Sequence, residues 1–187
     1  MSLQIITQPA IEPVTLAEAK AHLKVDTADD DALIATLITA ARTRAEWHTG
    51  RAFIAQSWTL WLDAWPADGT VEIPLPPLAS VASVTTYARD DTPTVLDTGA
   101  YVADAASQPA RLALKCAVPP IANLRRINAI AVAFNAGYGD AESDVPAPIR
   151  EAILEIVAEL YANRGDAPAT ESLTVQALLA PYRIFKL

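Results

Sequence analysis

The stretch AVAFNAGYGDAESDVPAPIREAILEIVAELYANRG, residues 131–165, contains the change of pattern that decides the fold. Up to Tyr138 it is rich in Val, Ala and Phe, and this part predicts a β-strand. From Pro146 and Pro148 onward, apolar residues repeat at intervals of three and four, which predicts an amphipathic helix. Many phosphate-binding loops are also built from a strand, a glycine turn and a helix, so the chemistry of this turn must be tested.

The turn GYG, residues 137–139, does not have the side chains that a phosphate loop needs. A Walker loop requires Lys and Ser or Thr after its last glycine, and a dinucleotide loop requires three glycines that open directly into a helix. Here three acids follow, and they would repel a phosphate: Asp140, Glu142 and Asp144. Their spacing imitates the start of a calcium loop, but Val145 occupies the position where an EF-hand requires glycine. We therefore predict a solvated turn between a β-region and a helix.

The helix after the turn has an apolar face and an acidic face. The apolar positions are Ile149, Ile153, Ile156, Val157 and Leu160, and Gly165 is expected to end the helix. Glu151, Glu155 and Glu159 follow one another at a spacing of four. This acidic stripe is either an ordinary solvated face or a negative surface that oligomer symmetry repeats.

Two further helices are predicted before the β-region. Thr15 and Glu18 have the spacing of a capping box and predict a short helix that ends near Lys24. Three aspartates at 29–31 suit the N-terminus of a second helix, which Gly50 ends, and no nearby carboxylate or histidine completes a metal site. Its apolar stripe contains Leu33, Ile34, Leu37, Ile38, Ala41 and Ala45. The charged residues Arg42, Arg44 and Glu46 are placed off this stripe.

The region 51–144 reads as a β-rich insertion of about five strands. The runs rich in Val, Ile, Thr and aromatic residues are 57–65, 80–88, 100–104, 110–115 and 127–138. The segments 73–80 and 117–120 are proline-rich connectors, because proline cannot donate to a strand ladder. We expect an α+β fold: a small antiparallel helical core of about four helices, with the insertion between helices 2 and 3.

The domain boundaries follow from these patterns. Residues 1–50 form the N-terminal helical part of the core, 51–144 the β-rich insertion, and 145–171 the third core helix with its following loop. Residues 172–187 form a short helix, which Ser172 caps and which ends near Pro181, and a docking tail. This tail is apolar, although terminal segments usually are not, so either its own fold or a partner must cover it. Both alternatives remain open.

Composition excludes several classes of function but does not identify a single function. The chain has 187 residues, of which 52% are hydrophobic, and this is enough for one good core. A net charge of −8 argues against a general nucleic-acid-binding surface. The single cysteine, Cys116, excludes a disulfide framework, and His22 and His48 lie on separate helices without partners at metal-ligand spacing. No signal peptide or membrane span is predicted, so we expect synthesis in the cytosol.

No nucleophile motif or catalytic cluster is visible, so no cofactor, metal site or catalytic residue is predicted. A different class of function, an enzyme whose active-site pocket is assembled only when the chain folds, remains the alternative to a non-enzymatic protein.

An ordered series of segments resembles the head-tail connector, or adaptor, family of tailed bacteriophages. The segments are VTLAEAKAHLKVD, DDALIATLITAARTRAEWHTGRA, LPPLASVASVTTYA, YVAD, AGYGD, VPAPIREAILEIVAELYANRG and LLAPYRI. They extend in order from about Pro13 to Ile184. The resemblance implies a non-enzymatic virion protein from a phage, a prophage or a gene transfer agent.

The family's architecture implies the partners. Such adaptors form a ring, commonly twelve-fold, below the portal, carry the stopper or tail-completion protein, and surround the channel through which DNA passes. Another neck component, such as a stopper, is the closest alternative. The segment we expect to dock on the portal or on an adjacent subunit contains Leu178, Leu179, Pro181, Tyr182, Arg183, Ile184 and Phe185. Candidate subunit or lumen contacts pair Arg42, Arg44 and Arg51 with Glu151, Glu155 and Glu159.

Overall fold

The computed structural model describes residues 1–115, 123–163 and 172–184. The helices are α1 Leu16–Leu23, α2 Asp31–Thr49, α3 Ala147–Asn163 and α4 Leu173–Leu179. The strands are β1 Ser2–Thr7, β2 Gln56–Leu62, β3 Thr70–Ile73, β4 Leu78–Tyr87, β5 Pro93–Val95, β6 Tyr101–Asp104, β7 Ala110–Leu114 and β8 Ile130–Ala136. Short 3-10 turns lie at Thr98–Ala100, Glu142–Asp144 and Ala180–Tyr182.

The chain forms two compact units. The sheet unit contains Met1–Pro9 and Ala55–Gly137, and the helical unit contains Ala10–Ile54 and Tyr138–Leu187. The chain therefore passes back into the helical unit between Gly137 and Tyr138, inside the turn with which the sequence analysis began.

The sheet unit contains a five-stranded antiparallel sheet with the order β1-β2-β8-β4-β5. Strand β8 is central, because Phe134 lies opposite Trp58 on β2 and Val81 on β4. Its sequence IAVAFNA is almost continuously apolar, and five of its seven residues are buried, while Ala133 and Asn135 are half-buried. Strand β1 forms one edge of this sheet, and it precedes all of the helices in the sequence.

A second, three-stranded antiparallel sheet has the order β3-β7-β6. Ile73 and Leu112 of this sheet are fully buried. Asp104 and Arg111 lie opposite each other on β6 and β7, and their side chains form an ion pair of 2.7 Å. Short strands of this kind gain their stability from such cross-strand pairs and from the apolar side chains that they bury.

The helical unit has one apolar core, to which all four helices contribute. Helix α3 packs against α1, α2 and α4, and it buries Ile149, Ile153 and Ile156 completely. Helix α2 supplies Ile34, Ile38, Ala41 and Ala45. Removal of each large side chain from such a core usually costs about 2 to 5 kcal/mol, so these residues hold the unit together.

The expected α+β class and the insertion between α2 and α3 are confirmed. All five predicted runs contain strands, and three further strands were missed: β1, β3 and β5. Two of these, β3 and β5, are only four and three residues long, and β5 begins with Pro93. Cys116, the connector 117–120, Gly165 and Phe185 lie outside the described residues.

Candidate subunit and partner interface

The acidic turn after Gly137 is held by contacts among its own residues. An added Cβ on Gly139 would lie only 2.1 Å from Oδ2 of Asp144, so the Asp144 side chain occupies the space in front of this glycine. The same carboxylate accepts a hydrogen bond from the backbone amide of Ala141 at 3.0 Å. The turn therefore presents an acid where a phosphate loop would present amides.

Helix α1 begins with the capping box that the sequence predicts. The Glu18 amide donates to Oγ1 of Thr15 at 3.2 Å, and the Thr15 amide donates to Oε2 of Glu18 at 2.9 Å. Arg150 of α3 pairs with Glu18 and also donates to the Pro13 carbonyl at 2.9 Å. The hydrogen bond from the Thr15 amide, supported by the Thr15 hydroxyl and Arg150, holds the pKa of Glu18 below its ordinary value.

Arg42 is not a surface residue, although it lies off the apolar stripe and is absent from the described apolar core. Its side chain is only 7% exposed and forms ion pairs of 2.7 Å with both Glu12 and Glu46. Burial would lower the pKa of Arg42, but the hydrogen bonds and charges of the two glutamates outweigh burial and raise it. The other oxygen of Glu46 accepts from the Phe53 amide at 2.8 Å. This cluster ties α2 to the segments on either side of it.

The C-terminal segment is held by the helical unit itself as far as Ile184. Leu179 is fully buried in the apolar core, and Leu178 and Tyr182 pack against that core. Arg51, which is only 7% exposed, donates to the Tyr182 carbonyl, and the Ile184 amide donates to the Thr49 carbonyl at 2.9 Å. Burial raises the pKa of the neighbouring Tyr138, although the charge of Arg51 opposes this.

The outward side of this segment contains Pro181 and Arg183, which are both exposed. The sequence left open whether the C-terminal tail is covered by its own fold or by a partner. Leu179 is covered by the helical unit of its own chain. Within the described part of this segment, Pro181 and Arg183 are open to contact by a partner.

Helices α2 and α3 pack against each other and run in opposite directions. Tyr161, near the end of α3, donates to the carboxylate of Asp30, which directly precedes α2. The core-facing sides of both helices meet in the apolar core, so their outer sides are turned away from each other. On α3 the outer side carries Glu151, which is exposed, and Glu155 and Glu159, which are partly buried.

The described residues contain no group of three or more His, Cys, Asp or Glu side chains that could hold a metal ion. Among the helices of the described chain, none has the length and apolar character needed to cross a membrane.

Arg125 forms a cluster in the sheet unit that sequence reasoning missed. Its guanidinium carbon lies 4.1 Å from the ring centre of Tyr87 and 5.9 Å from that of Trp61. It also donates to the Asn128 carbonyl and pairs with Asp91 at 3.2 Å. The adjacent arginines Arg125 and Arg126 favour a solvated loop from the sequence, whereas stacking with aromatic rings requires tertiary structure and leaves no local signal.

Comparison with known proteins gives a family match and similar solved structures. Residues 13–88 match the family described as phage gp6-like head-tail connector protein. A chain from the virion of a native gene transfer agent particle has a TM-score of 0.85 and 23% identity, over 100% of this chain and 97% of that one. No curated protein sequence is significantly similar to the chain.

Two neck structures are also similar over the full length. A chain from the neck of an empty gene transfer agent particle, computed with C6 symmetry, has a TM-score of 0.83 and 26% identity. Another, from the neck of a native particle computed with C12 symmetry, has a TM-score of 0.82 and 25% identity. Both likenesses cover 100% of this chain and 97% of the other. Together these findings confirm the predicted resemblance to the phage head-tail connectors and, with it, the function of a structural neck connector.

Proposed function

We propose that the chain forms a ring that joins the portal to the stopper or tail, around the channel through which DNA passes. The likeness to whole neck chains, in structures computed with C6 and C12 symmetry, is the observation that carries this proposal. Copies around such an axis meet through heterologous contacts, in which one face of a subunit meets a different face of the next. The net charge of −8 suits a conduit, because a basic lumen would retain DNA through its phosphates.

The outward side of the C-terminal segment is the proposed portal-binding surface. Pro181 and Arg183 are exposed there, while Leu179 and the backbone up to Ile184 are held by the helical unit. A fixed backbone reduces the ordering cost of binding, because less conformational freedom is lost. We include Phe185 and the residues after it in this surface on the basis of their sequence.

Imaging tests the ring. Purified protein, alone and mixed with isolated portal rings, is examined by negative-stain electron microscopy. We expect ring-shaped density stacked on the portal. A protein that ignores portal rings, but binds an assembled connector ring, would instead be a stopper.

A variant in the C-terminal segment tests the docking surface. Arg183→Glu combined with deletion of residues 185–187 should abolish portal binding and leave the helical circular dichroism signal unchanged. Arg126→Glu makes the same charge change at an exposed arginine of the sheet unit, and it should bind normally. Deletion from Leu178 onward is unsuitable, because it removes the buried Leu179 and would destabilise the unit. Full portal binding by the double change would refute the assignment.

The proposed subunit contact pairs basic and acidic sides of the helical unit. Of the three arginines, Arg42 and Arg51 are buried, whereas Arg44 is half-buried beside the exposed side of α2, so we assign this contact to Arg44. Its proposed partners on the next copy are Glu151, Glu155 and Glu159. A contact of this kind is heterologous, as a closed ring requires.

A further inference from the structure

The outer side of α2 has an unusual surface for a helix of an acidic protein. Every exposed residue of this helix is uncharged: Ala32, Leu33, Ala35, Thr36, Thr39, Ala40, Thr43 and Trp47. The solvent side of an ordinary surface helix carries charged and polar residues. We call these eight residues, together with the adjoining Arg44, the α2 outer face.

The threonines make this face more apolar than the sequence suggests. The Thr36 hydroxyl donates to the Ala32 carbonyl at 2.9 Å, and the Thr43 hydroxyl donates to the Thr39 carbonyl at 2.9 Å. The Thr39 hydroxyl makes its shorter contact, 2.9 Å, with a Glu12 carboxylate oxygen. Because these donors are already used within the chain, the threonines contribute mainly methyl groups to the surface.

Trp47 is the largest side chain on the α2 outer face, and it is 88% exposed. Together with Arg44, Ala40 and the three threonines, it forms an open, nearly flat patch on one side of the helix. Tryptophan and arginine are the residues most often found as energetic centres of protein interfaces. An indole left in water at the edge of an apolar patch indicates a surface that a partner covers.

The outer side of α3 has the properties that this face requires in a partner. Ala158 and Leu154 are half-buried beside Glu151 and Glu155, and Leu154 also packs against the apolar core, so an apolar border runs along the acidic strip. Arg44 is the charged member of the α2 outer face, and its sign is opposite to that of the glutamates. The two outer sides are turned away from each other, so a head-to-tail contact between copies can use both.

The positions of these groups along the helix pair also agree. Tyr161 contacts Asp30, and this contact fixes a common level for both helices. Arg44 lies fourteen residues beyond Asp30, roughly 21 Å along α2, and Glu151 lies ten residues before Tyr161, roughly 15 Å along α3. The difference is about one helical turn, which a flexible arginine side chain can bridge.

We propose that a second copy of this chain covers the α2 outer face, with Trp47 packed on the outer side of α3 and Arg44 paired with Glu151. The inference rests on the proposed ring and specifies the contact that closes it. Each subunit then contributes α2 on one side and α3 on the other.

Substitution of Trp47 tests the anchor. Trp47→Ala should fold normally, because this side chain is exposed, and should weaken subunit association by about thirtyfold or more. Leu173→Ala is the matched control, since Leu173 is an 82% exposed apolar side chain on α4. Association is measured by native mass spectrometry and sedimentation velocity up to the solubility limit.

Each outcome decides a different question. Oligomers lost in Trp47→Ala but kept in Leu173→Ala support the inference. Oligomers that persist equally in both variants overturn it and leave the ring intact. If the wild-type chain does not associate at any concentration, self-association through this face is overturned. Whether the chain forms a ring is then tested separately, by imaging the protein with the portal.

Cross-linking tests which faces meet. In a Cys116→Ser background, Thr43→Cys and Ala147→Cys place exposed thiols on the outer sides of α2 and α3, both about 20 Å from the Tyr161 contact. Mixed variants should form disulfide-linked dimers, and neither variant alone should do so. Dimers of Thr43→Cys alone would show that α2 meets α2, which overturns the head-to-tail contact.

Discussion

At the residue scale, charged side chains that look alike in the sequence have different roles in the structure. Arg42 and Arg44 both lie beside the apolar stripe of α2, yet Arg42 is buried between two glutamates while Arg44 lines the α2 outer face. The difference arises because Glu12, thirty residues away in the chain, lies against α2. A buried ion pair of this kind is costly to break from one side, since the remaining charge keeps its desolvation cost.

Arg42→Ala should therefore lower the free energy of unfolding by about 2 to 4 kcal/mol, because two glutamates lose their shared cation. Arg126→Ala, at an exposed arginine of the sheet unit, should change it by less than about 0.5 kcal/mol. Urea unfolding of both variants provides the comparison. Equal, small effects would show that the Arg42 cluster contributes nothing to stability.

Gly139→Ala is expected to destabilise the helical unit by about 1 to 3 kcal/mol. The new methyl would occupy the place of the Asp144 carboxylate, which must then move and lose its hydrogen bond to Ala141. Ser143→Ala, in the same turn, adds no atom in this space and serves as the control. The measurement is thermal unfolding, and a wild-type melting temperature for Gly139→Ala would contradict the packing described.

At the element scale, the ends of α1 and α2 are set by local chemistry. Thr15 and Glu18 form the reciprocal box at the start of α1, and Lys24 ends it with a left-handed backbone, φ 58°. Gly50 ends α2 in the same way, with φ 72°. Arg150 then joins the α1 cap to α3, so a local signal also becomes a tertiary contact.

Glu18 should make stability depend on pH. Its pKa is lowered in the folded state, so its contribution is present above its ordinary value of 4.5 and is lost as pH falls through the folded pKa. Glu18→Gln should be less stable than wild type at pH 7, and the difference should shrink below pH values of about 4.5. Denaturant unfolding between neutral and acidic pH measures this difference. A gap that stays constant over this range would exclude the proposed linkage.

At the scale of the whole molecule, the proposed ring depends on two sides of one helix pair. Arg44→Glu should weaken association by placing like charges against Glu151, and Glu151→Arg in the same chain should restore it. The loss should be greatest at low salt, because ions screen exposed charges beyond about 10 Å at 0.1 M. Sedimentation over a salt series measures the effect. Association of Arg44→Glu equal to wild type at low salt would refute the charge pair.

The sequence by itself determined the features that depend on near neighbours. The capping box, the glycine at the end of α2, the apolar periods of α2 and α3, and the five main β-runs all have local causes. The acidic turn after Gly139 could also be separated from a phosphate loop by its residue types alone.

Only the tertiary structure decided which distant segments meet. The placement of β8 between β2 and β4, the addition of β1 to a sheet that otherwise follows α2, and the burial of Arg42 and Arg51 depend on contacts across tens of residues. The contacts of the helical unit with Leu179 and Ile184 also join residues that are far apart in the sequence. Such contacts leave no periodic or local signature, because the energy comes from packing and pairing with residues that the sequence places far away.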